Sequence, residues 1–118
     1  MSDPCVDLNR YFLKHQIPLT ISDLQIFNHS EELNQFLIDN LKPQQDLILR
    51  YHTKIYHPES GNGHFSLISN YDVQNKIVQI GDPELPFTKT LTLEQMILAM
   101  SNEFDKIQRG IYVVNAVI

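Results

Sequence analysis

Apolar residues recur along the chain at helical spacing in three stretches, separated by shorter stretches of strand-forming residues. Residues 4–15, 28–41 and 92–107 carry apolar side chains at i, i+3 and i+4, which predicts three amphipathic helices. Asn28 is expected to cap the second helix, and Thr92 with Gln95 forms a capping box for the third. The methionines of the third helix are expected to fill the core.

Runs rich in β-branched and aromatic residues, bounded by turn residues, predict the strands. They cover residues 22–27, 47–55, 64–71, 76–82 and 111–118. The mixture of helices with a mostly antiparallel meander indicates an α+β fold, with a sheet of about four strands and two to three helices. At 118 residues, the chain is expected to form a single domain over 1–118.

Charge and cysteine content limit the function classes. The net charge is −5, from nine basic and fourteen acidic residues, so binding to nucleic acid or to a membrane surface is not expected. No apolar run approaches the roughly 20 residues that span a bilayer, and the first residues lack a signal-peptide pattern. The single cysteine excludes an internal disulfide. We therefore expect a cytoplasmic protein.

Two short motifs suggest chemistry. Gly63-His64-Phe65-Ser66 opens one predicted strand, and Asp82 closes the next, 18 positions after His64. A turn centred on Val73 would make paired positions add to 146 and would place Asp82 directly opposite His64, with Cβ atoms roughly 5 Å apart. An Asp at that distance can orient an imidazole that acts as a base. Both residues are also ordinary at strand ends, and a register slip of one residue would separate them.

Most of the chain resembles the C-terminal half of a phytochelatin synthase catalytic domain. The most specific element is Gly-His-Phe-Ser with the matched spacing from His64 to Asp82. The other matching segments are 47–52, 60–63, 71–72, 87–98 and Arg109-Gly110-Ile111.

The resemblance implies a papain-like (cysteine proteinase) fold and a Cys-His-Asp triad that transfers a γ-glutamylcysteinyl unit between glutathione molecules. Some bacterial relatives mainly hydrolyse glutathione. His64 would be the base, Asp82 its orienter, and Gly63 and Ser66 would contact substrate. The implied partner is glutathione or a second chain that supplies the nucleophile. No cofactor is implied, although the family is linked to heavy-metal ions.

Three features depart from the family pattern. The family's nucleophilic Cys precedes the His by roughly a hundred residues, whereas only 63 residues precede His64 here. Leu67 replaces the Pro of Gly-His-Phe-Ser-Pro, and Asp82-Pro83-Glu84-Leu85 replaces Asp-Val-Ala-Arg. The nucleophile segment is therefore expected to be missing, and an expected cationic contact with substrate is absent.

Cys5 is the one cysteine that could complete a triad. Asp3 and Pro4 fit the N-cap and first position of a helix, and a thiol in the first turn has its pKa lowered by the helix dipole. No Cys-Gly signature accompanies it, and a lone cysteine is most often a small apolar side chain.

Three functions remain open. The first is a phytochelatin-synthase-like acyltransferase or peptidase module that carries the His-Asp part of the triad and is inactive alone. The second is a non-catalytic binding or regulatory module derived from that fold, and the third is a small cysteine peptidase or acyltransferase that uses Cys5. No metal site is predicted, because the spacings of His52, His57 and His64 match no compact ligand pattern.

Overall fold

The protein is described by a computed structural model over residues 9–11, 13–16, 19–56, 59, 61–81 and 88–116. These residues form an α+β fold, as the sequence predicts. The helices are α1 (Ser30–Asn40) and α2 (Leu93–Met100), and a 3-10 helix spans Thr53–Ile55. Residues 9–11 and 13–14 are also helical. Within the described part of the chain, no helix is both long and apolar enough to cross a bilayer.

A single antiparallel sheet organises the fold. Its strands are β1 (Leu19–Ile21), β2 (Gln45–His52), β3 (Gly63–Asp72), β4 (Ile77–Gly81), β5 (Thr88–Thr92) and β6 (Ile111–Ala116). Their spatial order is β1-β6-β2-β3-β4-β5. The expected four strands are β6, β2, β3 and β4, so the prediction of about four strands was too low. The two additional strands, β1 and β5, form the edges.

Successive side chains along β2 point to opposite faces of the sheet. Leu47, Leu49 and Tyr51 are buried in one cluster with α1 and α2, and we call the side of the sheet on which they lie the helix face. Its contacts with the helices include Leu37 and Met100, which are fully covered. The opposite side, the open face, has a smaller apolar cluster around Ile21 and Tyr112. The helix face therefore holds the main core, and the prediction that the α2 methionines lie there is confirmed.

The hairpin of β3 and β4 has a different register from the predicted one. Tyr71 pairs with Val78 and Ile68 with Ile80, so paired positions add to 149 and then 148, not 146; the change follows a bulge between Ile68 and Asn70. Asp72 is still paired, and the turn occupies 73–76. The Asp72 carboxylate accepts hydrogen bonds from the backbone and side chain of Asn75 at 3.1 and 2.8 Å, which moves the turn centre beyond Val73.

Both helices also differ from prediction at one end. α1 begins at Ser30, and its N-cap is His29 rather than Asn28. α2 stops at Met100 instead of continuing to Ile107. The Ser101 hydroxyl donates to the carbonyl of Leu98 at 2.7 Å, and such local bonds compete with further helix.

The predicted strands at 22–27 and 47–55 are shorter or displaced. β1 lies at Leu19–Ile21, and Gln25 makes only an isolated bridge to Ile111. β2 ends at His52 because the His52 Nδ1 accepts a hydrogen bond from the backbone N–H of Lys54 at 3.1 Å. That bond caps the 3-10 helix, which turns the chain away from the sheet.

Candidate active site

His64, the predicted base, is the second residue of β3 and is half-buried. It pairs with Tyr51 of β2, so both side chains point to the helix face. The two rings meet edge to face, with centroids 5.9 Å apart. The imidazole therefore lies at the rim of the core, supported on one side by a buried aromatic ring.

Asp82 and Cys5, the other predicted members of the triad, lie outside the described residues. The last described residue of β4 is Gly81, which pairs with Leu67. Within the described part of β4, the ladder therefore ends before it reaches a position opposite His64. The register argument for placing Asp82 directly opposite His64 was wrong, because positions at this end of the ladder add to 148 and not to 146. A contact between His64 and Asp82 and the role of Cys5 fall outside the described residues and stay predictions.

Ser66, predicted to contact substrate, belongs to a chain of hydroxyl groups beneath His64. It is only 3% exposed, and its Oγ lies 3.0 Å from the Tyr51 hydroxyl. The Tyr51 hydroxyl lies 2.6 Å from that of Tyr56. The ammonium group of Lys89 lies 4.4 Å from the centre of the Tyr56 ring, a cation–π contact. Ser66 thus supports Tyr51 from within the core, and its contact with substrate stays a prediction.

Gly63, the other predicted substrate contact, lies against a buried arginine. A Cβ added to Gly63 would lie 3.0 Å from Nη2 of Arg109. Arg109 is 4% exposed and donates from Nη1 and Nη2 to the two carboxylate oxygens of Asp105, each at 2.7 Å. These hydrogen bonds from Arg109 hold the pKa of the Asp105 carboxyl at about 2, below its ordinary value of 3.8.

His52 joins the same group of residues. It pairs with Gly63 across the ladder and is 6% exposed. Its Nε2 lies 3.6 Å from Oδ2 of Asp105, and its ring packs on Phe104 with centroids 5.2 Å apart. Sequence reasoning missed the contact of Asp105 and Arg109 with this end of the sheet. Their i, i+4 spacing was a signal for an ion pair, but it did not indicate what the pair touches.

The described residues contain no group of three His, Cys, Asp or Glu side chains arranged to hold a metal ion. His52 and His64 pair with neighbouring positions of the facing strand, Gly63 and Tyr51. Adjacent pairs of a ladder point to opposite faces, so these two imidazoles lie on different sides of the sheet.

Neither a protein-family model nor a curated protein sequence matches this chain. The residues of the site indicate its chemistry. Those described around His64 provide an imidazole at the rim of the sheet, the buried ring and hydroxyl groups of Tyr51 and Ser66 beside it, and a preceding glycine that is covered by the guanidinium of Arg109. Such an arrangement suits proton transfer to or from a group that enters from outside.

Proposed function

We propose that the chain is a phytochelatin-synthase-like thiol acyltransferase or peptidase module of papain-like architecture, in which His64 is the general base. One observation carries the proposal. Segments that carry the sequence resemblance but lie far apart along the chain meet at one end of the sheet. Tyr51 pairs with His64 and hydrogen bonds to Ser66, while Arg109 lies against Gly63.

The proposed reaction begins with proton transfer. The His64 imidazole takes the proton of a cysteine thiol, and the sulfur attacks the carbonyl carbon that joins γ-glutamylcysteine to glycine in glutathione. The C–N bond breaks, His64 returns the proton to the leaving amine, and glycine departs. The thioester that remains is attacked by the amine of a second glutathione, which gives transfer, or by water, which gives hydrolysis.

The thiol is proposed to come from a second chain or segment that carries a Cys-Gly helix start, with Asp82 as the residue that orients His64. The burial of Tyr51 and Ser66 beside His64 supports the proposal that the nucleophile comes from elsewhere. Both side chains are buried and hydrogen bonded to each other, so neither is available as a nucleophile, and they instead hold one side of the imidazole.

The test measures glycine release and γ-glutamylcysteinyl transfer with glutathione as substrate. We expect the 118-residue chain alone to show no turnover above background, with or without Cd²⁺ or Zn²⁺, because a base without its thiol cannot form the acyl-enzyme. Adding the nucleophile-bearing N-terminal half of a phytochelatin synthase catalytic domain in trans, without that domain's own His and Asp, should produce turnover. His64→Ala should lower that turnover about 100-fold or more.

His29→Ala is the matched control, since it removes an exposed imidazole at the start of α1 and should leave the complemented activity unchanged. Turnover by the chain alone that disappears in Cys5→Ala would overturn the two-part site and support Cys5 as nucleophile. Turnover that survives Cys5→Ala but needs His64 would indicate a water nucleophile. Continued silence after complementation would favour the non-catalytic module.

A further inference from the structure

The connection from α2 to β6 passes over the end of β3 that carries His64. Asp105 and Arg109 lie in this connection and are joined by two hydrogen bonds of 2.7 Å. The backbone N–H of Arg109 donates to the carbonyl of Met100 at 2.7 Å, which fixes the connection to the end of α2. Arg109 is thus held through both its backbone and its side chain, and its guanidinium lies beside Gly63.

Close approach explains the glycine at position 63. Its φ is not positive, so the backbone conformation does not require glycine. The space does: a Cβ would lie 3.0, 3.5 and 3.6 Å from Nη2, Nε and Cζ of Arg109. Three atoms of the guanidinium therefore lie around the position that a Cβ would occupy on the residue directly preceding His64.

The same backbone is also held by β2 and the 3-10 helix. His52 pairs with Gly63, and the backbone N–H of Thr53 donates to the carbonyl of Asn62 at 2.8 Å. The Thr53 hydroxyl accepts from the Asn62 N–H at 2.8 Å. These contacts with β2, the 3-10 helix and Arg109 restrain the start of β3, and a strand end without such contacts is free to fray.

We propose that Arg109, held by Asp105 and backed by His52, is a positioning residue that fixes the backbone at Gly63 and thereby the direction of the His64 imidazole. Its relevance to catalysis rests on the proposed function; the positioning itself does not. Among the described residues, the buried Nε of Arg109 has no hydrogen-bond partner. A buried donor left unpaired costs free energy, so the cluster is poorly suited to stabilising the fold alone.

The first experiment reads the imidazole directly, by NMR of ¹³C-labelled histidine in the folded chain. Arg109→Met keeps a side chain of similar length but removes the planar guanidinium, and Asp105→Asn weakens its anchor without leaving a cavity. Both should broaden or split the His64 ring signals. Arg50→Met is the control, because Arg50 stacks on Phe65, with its Cζ 5.8 Å from the ring centroid, and it should leave these signals unchanged. Unchanged His64 signals in folded Arg109→Met and Asp105→Asn would overturn the proposal.

The second experiment is a double-mutant cycle on stability, which tests the contact between Arg109 and Gly63 independently of the His64 signals. Gly63→Ala should raise the unfolding equilibrium constant about tenfold, the scale of overpacking a filled site. In an Arg109→Ala background, the same change should cost about threefold or less, because the clashing atoms are gone. Gly81→Ala meets open space and should be nearly neutral in both backgrounds. An equal penalty for Gly63→Ala in both backgrounds would refute the contact.

Activity provides a third readout that separates the two proposals. In the complemented assay, Arg109→Met should lower kcat more than it raises KM, because a misdirected base affects the chemical step. If complementation never yields turnover while the His64 signals still respond to Arg109→Met, the proposed function fails and the positioning role stands. If turnover is restored and Arg109→Met leaves kcat unchanged, the positioning role fails and the function stands.

Discussion

At the scale of single residues, Asp105 is the carboxylate, among the described residues, whose pKa the fold lowers most clearly. Hydrogen bonds from the Arg109 guanidinium are the main cause, and they hold the pKa of the Asp105 carboxyl at about 2 instead of 3.8. The charged form is therefore favoured in the folded state. Its stabilising contribution is complete above the unfolded pKa of 3.8 and is lost as the pH falls toward 2.

We expect Asp105→Asn to lower the free energy of unfolding at neutral pH, and we expect this difference from the wild type to shrink between about pH 4 and pH 2. Urea denaturation at a series of pH values measures it. Asp46→Asn, which removes an exposed carboxylate at the opposite end of β2, is the control for net charge. A difference that stays constant down to pH 2 would show that Asp105 does not act through its ionised form.

At the scale of elements, α2 begins with a capping box formed by Thr92 and Gln95. The Thr92 hydroxyl accepts from the Gln95 N–H at 3.1 Å, and the Gln95 side chain accepts from the Thr92 N–H at 2.9 Å. We expect Thr92→Ala to lower the free energy of unfolding by about 0.5–2 kcal/mol. Thr90→Ala, an exposed change on β5, should cost only a few tenths of a kcal/mol. Equal urea midpoints for the two variants would contradict a role for the capping box.

The sequence predicts this capping box because every partner lies within one helical turn. It does not predict where α2 ends, because Phe104 and Ile107 continue the apolar spacing beyond Met100. The helix stops there through hydrogen bonds that the apolar pattern does not report, including that from the Arg109 N–H to the Met100 carbonyl. The alternating threonines at positions 88, 90 and 92 were the available signal for β5, but Pro83 and Pro86 shortly precede them, and proline is unfavourable within a strand.

The candidate site could be predicted only in part for a related reason. The motif around His64 is contiguous, so its place at a strand start followed from the residues themselves. Tyr51 and Ser66, by contrast, meet only because of the register between β2 and β3. Arg109 reaches Gly63 across 46 positions of chain. Contacts of this kind depend on register and on the path of connections, and a register error moves every partner along the ladder.

At the scale of the whole molecule, the helix face supplies one main core, and Met100 lies within it with no exposed surface. We expect Met100→Asp to unfold the domain, since an unpaired charge in an apolar core is severely unfavourable. Leu98→Asp is the matched control on the same helix, where the side chain is 41% exposed. Thermal unfolding followed by circular dichroism distinguishes them. A cooperative transition retained by Met100→Asp would show that α2 is not required for the core.

The place of β6 between β2 and β1 has a consequence for aggregation of the chain while it is being synthesised. Leu49 pairs with Ile111 and Leu19 with Ala116, whereas β2 to β5 follow one another as a meander. Loop closure favours the nearby pairings, so the meander can assemble while one edge of β2 still lacks its neighbour. An unpaired apolar strand edge recruits other chains. Polypeptides interrupted before Ile111 should therefore aggregate more than chains that include β6, because β6 is the strand that covers this edge of β2.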